Sequence, residues 1–181
     1  MTCIVGLVHN SRVYIGGDSG GLGKNSYDIR KMPKVFTKGQ FVYGYAGSFR
    51  MGNILQYEFK EPKIKGDIFK YMVHDYINGL RKCFEKHGFE IDSEREADGG
   101  EAISPCFFVG MKGKLFSVHE DLQIAELTRS YDAIGCGGDF ALGAMYMAQE
   151  MDKTPEEKIT IALKAATQFS SIYEPFHIVS V

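Results

Sequence analysis

Nowhere does the chain carry an apolar run of about 18 residues, so no membrane-spanning helix is expected. Charge of one sign is also missing. The net charge is −2, which leaves no basic footprint for nucleic acid. The four cysteines (Cys3, Cys83, Cys106, Cys136) stand far apart and never form a C-x-x-C pair. No charged-then-apolar leader opens the sequence, so secretion is not expected, and the cysteines read as reduced thiols of a cytoplasmic protein. His9, His74, His87, His119 and His177 show no metal-ligand spacing, and no metal or cofactor is expected. The pattern G-x-x-x-x-G-K-[ST] is absent, so Gly137-Gly138 is not taken as a phosphate loop. Neither a repeat nor a linker divides the 181 residues, and one domain over 1–181 is expected.

What is present is material for a core. Hydrophobic residues make up 44% of the chain, too many for a disordered one. Glycines number 21, above the average share of roughly 7%, and several are paired, as tight turns require. The continuous apolar run 2–9 reads as a strand buried on both faces. Asn10-Ser11 turns it into a second strand over 12–17. A glycine-rich loop over 18–30 precedes strands at 34–37 and 41–46, and a helical stretch opens at Gly47-Ser48 and ends before Pro62. From 68 to 84, Phe69, Met72, Val73, Tyr76, Ile77, Leu80, Cys83 and Phe84 fall at helical spacing and predict one apolar helix face. The acidic segment 90–101 reads as a solvated loop. Strands follow at 104–111, 114–119, 125–128 and 131–134. Asp139 is the expected N-cap of the next helix. Thr154-Pro155-Glu156-Glu157 forms a capping box for another helix, expected to bury Ile159, Ala162, Leu163, Ala166, Phe169 and Tyr173 and to end at Pro175. A closing strand covers 176–181. Runs of strands separated by helix pairs predict an α+β fold of two facing sheets covered outside by helices.

The N-terminus carries the chemistry. Thr2 stands directly behind the initiator methionine, which is normally trimmed before a small residue. Trimming leaves Thr2 with a free α-amine beside its own hydroxyl. Such an amine titrates near about 7.7–8.0, so near neutral pH it can accept the hydroxyl proton and activate the oxygen as a nucleophile.

Thr2, Gly17-Asp18, Lys34-Val35, Ala46-Gly47 and Ala133-Ile134-Gly135-Cys136-Gly137-Gly138 follow in that order. The ordered set resembles the proteasome β-subunit family of N-terminal-nucleophile hydrolases, and most of all its HslV-type peptidases. The resemblance spans nearly the whole chain. It implies a four-layer αββα sandwich, a threonine peptidase without cofactor, and self-assembly into homo-oligomeric stacked rings. It also implies unfolded protein or peptide substrates and an ATPase unfoldase as partner. By the same resemblance Thr2 is the nucleophile, Lys34 favours its alkoxide, Asp18 holds Lys34, the Gly47 amide serves the oxyanion, and Cys136 stands near the amine. Lys31 is the rival of Lys34; Val35 after Lys34 decides for the latter. Gly21, Met32 and Ser48 fall where the family lines its specificity pocket. The family has a serine where Cys136 stands and an aspartate on the last helix, where this chain has 168–173 without an acid. Ser170 or Ser171 can substitute there by hydrogen bonding. Two other readings stay open: a catalytically silent ring scaffold on the same fold, and a non-proteolytic amidohydrolase of the wider class.

Overall fold

A computed structural model of the chain describes residues 1–22, 27–89 and 106–181. The loop expected at 90–101 and the strand start at 104–105 lie outside the described residues. Two antiparallel sheets dominate. The first has the order β10-β1-β2-β11, built from β1 (Ile4–His9), β2 (Arg12–Gly17), β10 (Tyr131–Ile134) and β11 (His177–Ser180). The second has the order β5-β6-β7-β8-β9, built from β5 (Val35–Lys38), β6 (Phe41–Ala46), β7 (Cys106–Met111), β8 (Lys114–Val118) and β9 (Ile124–Glu126).

Three apolar clusters define the layers. Ile4, Val13, Ile15, Val35, Val42, Ala46 and Phe108 fill the space between the sheets. The outer face of the first sheet packs Cys3, Val5 and Leu7 against α4 (Gly138–Ala148) and α5 (Pro155–Phe169). The outer face of the second sheet packs Tyr43, Tyr45, Phe107 and Val109 against α1 (Phe49–Asn53), α2 (Ile68–Tyr71) and α3 (Ile77–Lys86). The result is the expected αββα order. Strands covered on both faces have no solvent side, which is why they read as unbroken apolar runs. The sheets approach closely at Gly44, where a Cβ would lie 2.6 Å from Ile15 and from Ile4.

Four local expectations are corrected. The segment 18–30 is not wholly loop, because β3 (Gly20–Leu22) and β4 (Tyr27–Ile29) pair as a small separate sheet. The helix from Ile68 to Lys86 contains a π-helical turn, Met72–Tyr76, which adds a residue to the turn. That turn rotates the helix face: Tyr71 becomes buried and donates its hydroxyl to Pro62 O at 2.8 Å, while Phe69 and Val73 stay exposed. Gly137, not Asp139, occupies the N-cap of α4, with Asp139 one position inside the first turn. Finally, α5 ends at Phe169 rather than at Pro175. Ser170 is extended, so Ile172 reaches the core, Phe169 is 71% exposed and Tyr173 only half-buried.

Candidate active site

Hairpin register builds the site. Ile4 pairs with Gly17 across β1 and β2, which sets Asp18 opposite Cys3. There Asp18 N donates to Cys3 O at 3.3 Å, and Cys3 N donates back to Asp18 Oδ1 at 3.0 Å. On the second sheet Val35 pairs with Gly44, and Tyr45 N donates to Lys34 O at 3.0 Å. Lys34 thus leaves the end of β5 pointing between the sheets. Its Nζ donates to Asp18 Oδ1 at 2.8 Å, with side-chain exposures of 1% and 0%. Gly20 N satisfies the other carboxylate oxygen at 2.9 Å. A buried ammonium requires such a partner. Burial pushes the Lys34 pKa below the ordinary lysine value, and Asp18 opposes that shift. Lys31, the rival, is exposed.

Thr2 is buried beside this pair. The turn Gly135-Cys136-Gly137-Gly138 holds it: Gly137 N donates to Thr2 O at 3.2 Å. Gly135 has φ +90, and a Cβ there would collide with the Thr2 carbonyl, so both backbone and space demand glycine. Thr2 N donates to Cys136 Sγ at 3.3 Å, and Ser170 Oγ donates to the same sulfur at 3.5 Å. The Met1 carbonyl accepts from Thr2 Oγ1 at 2.7 Å and from Lys34 Nζ at 3.3 Å. With Met1 attached, hydroxyl and ammonium therefore meet on one carbonyl oxygen. Cys3 does not compete as a nucleophile, since burial first and Asp18 next raise its thiol pKa far above the usual range.

These contacts bring Thr2, Asp18, Lys34 and Cys136 into one network. Gly47 lies just past β6 with φ +87 and is exposed. Ser48 is the N-cap of α1, its hydroxyl accepting from Met51 N at 3.1 Å. Gly21 sits in β3, and Met32 is 45% exposed. Arg30 and Phe49, which the sequence reading did not single out, tie these parts together. The Arg30 guanidinium lies 4.6 Å from the Phe49 ring centre, and Lys34 Nζ lies 5.9 Å from the same centre. Their only signal in the sequence is proximity: Arg30 is on the segment that delivers Lys34, and Phe49 is two residues past Gly47.

No family model matches the chain, and no curated protein matches it in sequence. Solved structures do match in shape. BPH of Thiobacillus denitrificans superposes with a TM-score of 0.76 at 17% identity, over 99% of this chain and 97% of that one. HslV of Trypanosoma brucei gives 0.65 at 17% identity, over 98% of each chain. The chain has the proteasome–HslV type of N-terminal-nucleophile hydrolase fold. Anbu of Pseudomonas aeruginosa, solved as a helical assembly, gives 0.66 at 16% identity, over 100% of this chain and 81% of that one. BPH has also been solved in complex with epoxomicin. In this fold Thr2, just before β1, and the Lys34–Asp18 pair are buried together. Among the described residues no group of three or more His, Cys, Asp or Glu could hold a metal ion, and no helix is long and apolar enough to cross a membrane.

Proposed function

We propose that the chain, once Met1 is removed, is a threonine peptidase that hydrolyses peptide bonds of unfolded proteins. The observation that carries this reading is the buried Lys34–Asp18 pair, set with the Thr2 hydroxyl around a single carbonyl oxygen. Removal of Met1 frees that space and leaves the Thr2 nitrogen as an amine beside Cys136. The amine, directly or through a water, takes the Oγ1 proton as Oγ1 attacks a substrate carbonyl. Lys34 stabilises the developing alkoxide, and Asp18 keeps Lys34 oriented and charged. The Gly47 amide donates to the oxyanion; one such donor is worth roughly a hundredfold in rate. The C–N bond breaks as the proton passes to the leaving amine, leaving an ester on Thr2. Water then hydrolyses that ester.

An unenclosed peptidase endangers folded neighbours, so enclosure in a homo-oligomeric assembly belongs to the proposal, with an ATPase unfoldase feeding it in the cytoplasm. Gly21, Met32 and Ser48 line the substrate side. The test uses processed protein, its mass showing Thr2 as the first residue, on a small fluorogenic peptide. Thr2-dependent hydrolysis, lost in Thr2→Ala, is expected, together with a mass increase on incubation with epoxomicin. Equal rates in the two proteins end the proposal. One observation favours a silent scaffold instead: the end of α5 offers Cys136 a hydroxyl, Ser170, and no carboxylate. An adduct on Thr2 excludes that alternative.

A further inference from the structure

Among the described residues Arg30 is a cation without a carboxylate partner. Its backbone is fixed, with Arg30 N donating to Ser19 O at 2.8 Å. Its side chain lies along Gly21, where a Cβ would sit 2.5 Å from Nε, and its guanidinium covers the Phe49 ring at 4.6 Å. Tyr45 stands edge-on to Phe49 at 6.2 Å and completes an aromatic corner under the charge. Among the described residues no Asp or Glu pairs with Arg30, and the residue is exposed. A guanidinium placed in this way has lost much of its rotamer freedom already, and its planar fork can still take a carboxylate on two parallel N–H bonds.

We propose that Arg30 selects an acidic side chain, Asp or Glu, on the substrate residue whose carbonyl Thr2 attacks. The inference rests on the peptidase reading and names its substrate class. The geometry is direct. Lys34 and Arg30 face one ring, Phe49, and Phe49 follows Gly47 by two residues. In this proposal a carbonyl attacked by Thr2 beside Lys34 sends its side chain toward the Phe49 ring that Lys34 and Arg30 share, where Arg30 offers its charge. Gly21 keeps that corner open, because any larger residue there would displace Arg30.

The test compares three fluorogenic peptides that differ only at the residue before the cleaved amide: Glu, Leu or Lys. Each is assayed with processed wild type, Arg30→Gln and Arg30→Glu, and the readout is the ratio of kcat/KM for the Glu and Lys peptides. A ratio taken within one protein is insensitive to the fraction folded. The expected ratio is about tenfold or more in wild type, falling toward one in Arg30→Gln and inverting in Arg30→Glu, as a charge-assisted hydrogen bond is gained or lost. Thr2-dependent cleavage of the Leu peptide with a Glu-to-Lys ratio unchanged in Arg30→Glu overturns this assignment alone. Failure to cleave any of the three overturns the peptidase reading and this inference with it.

Discussion

Replacing Asp18 by alanine leaves the ammonium of Lys34, 1% exposed, facing the cavity where its carboxylate was. Three donors lose the carboxylate together: Cys3 N, Gly20 N and Lys34 Nζ, which keeps only the Met1 carbonyl at 3.3 Å where Met1 is present. Breaking a buried pair by removing one partner costs about 3–5 kcal/mol, far more than the pair's own net contribution, because the surviving charge has no water to return to. For a chain of this length each kcal/mol shifts Tm by about 2–4 °C, so a fall of about 10 °C is expected. The chain has no tryptophan, so urea unfolding is best followed by far-UV circular dichroism. Two controls isolate the charge. In Asp18→Ala/Lys34→Met the ammonium is gone while the amides of Cys3 and Gly20 remain orphaned, so part of the loss returns. Raising the pH acts in the same direction. Burial already lowers the Lys34 pKa, and without Asp18 the strongest influence opposing that shift is gone. The penalty is complete below the folded-state pKa and fades as pH rises toward the unfolded value of about 10.4. The gap between wild type and Asp18→Ala therefore narrows as the pH rises toward the ordinary lysine value. A double variant no more stable than Asp18→Ala, with a gap independent of pH, refutes the reasoning.

Other consequences follow from single contacts. Gly44→Val thrusts two methyl groups into Ile4 and Ile15 where the sheets touch, and overpacking of this kind costs about 1–3 kcal/mol, read as a lower urea midpoint. Thr154→Ala removes the cap that accepts from Glu157 N at 3.2 Å, and about 1 kcal/mol of stability goes with it; an unchanged midpoint would show that the capping box is dispensable. In the proposed peptidase, kcat/KM rises with pH as the Thr2 amine becomes neutral near about 7.7–8.0. It falls again when Lys34 loses its proton, at a pH below the ordinary lysine value because burial lowers that pKa. A profile flat from pH 7 to 9 contradicts the amine's role.

Local signals in the sequence translated well, and composite ones did not. The capping box before Glu157 forms as written, because its partners lie within four residues and need no tertiary help. The turn at Asn10-Ser11 adopts φ 48 and 59, as a two-residue hairpin demands. The end of α5 failed for the opposite reason: apolar spacing continues through Phe169 and Tyr173, yet Ile172 packs against the Gly137 turn and ends the helix early. The π-helical turn in the preceding layer is equally invisible to a 3.6-residue pattern, which cannot register one inserted residue. The short β3–β4 pair carries too few side chains to show a period at all. At the site, Lys34 and Lys31 are alike in sequence; what separates them is the register of β5 on β6, which buries one and exposes the other.

The departures at Cys136 and Ser170 have an electrostatic consequence of their own. Asp18 is the one carboxylate that the hydrogen bonds place on Lys34, and that pair is neutral as a unit. Ser170 and Cys136, which contact the Thr2 nitrogen side, bring a hydroxyl and a thiol instead of an acid. In the proposed peptidase an amine at Thr2 therefore faces a neutral pair and, on its Cys136 side, no carboxylate; nothing there holds it as an ammonium, which favours the neutral base the mechanism needs. In the proposed peptidase, introducing a carboxylate at Ser170 is predicted to raise the pH of the acidic limb by favouring the Thr2 ammonium through Cys136's side of the site, whereas a purely structural role for Ser170 would leave that limb unmoved.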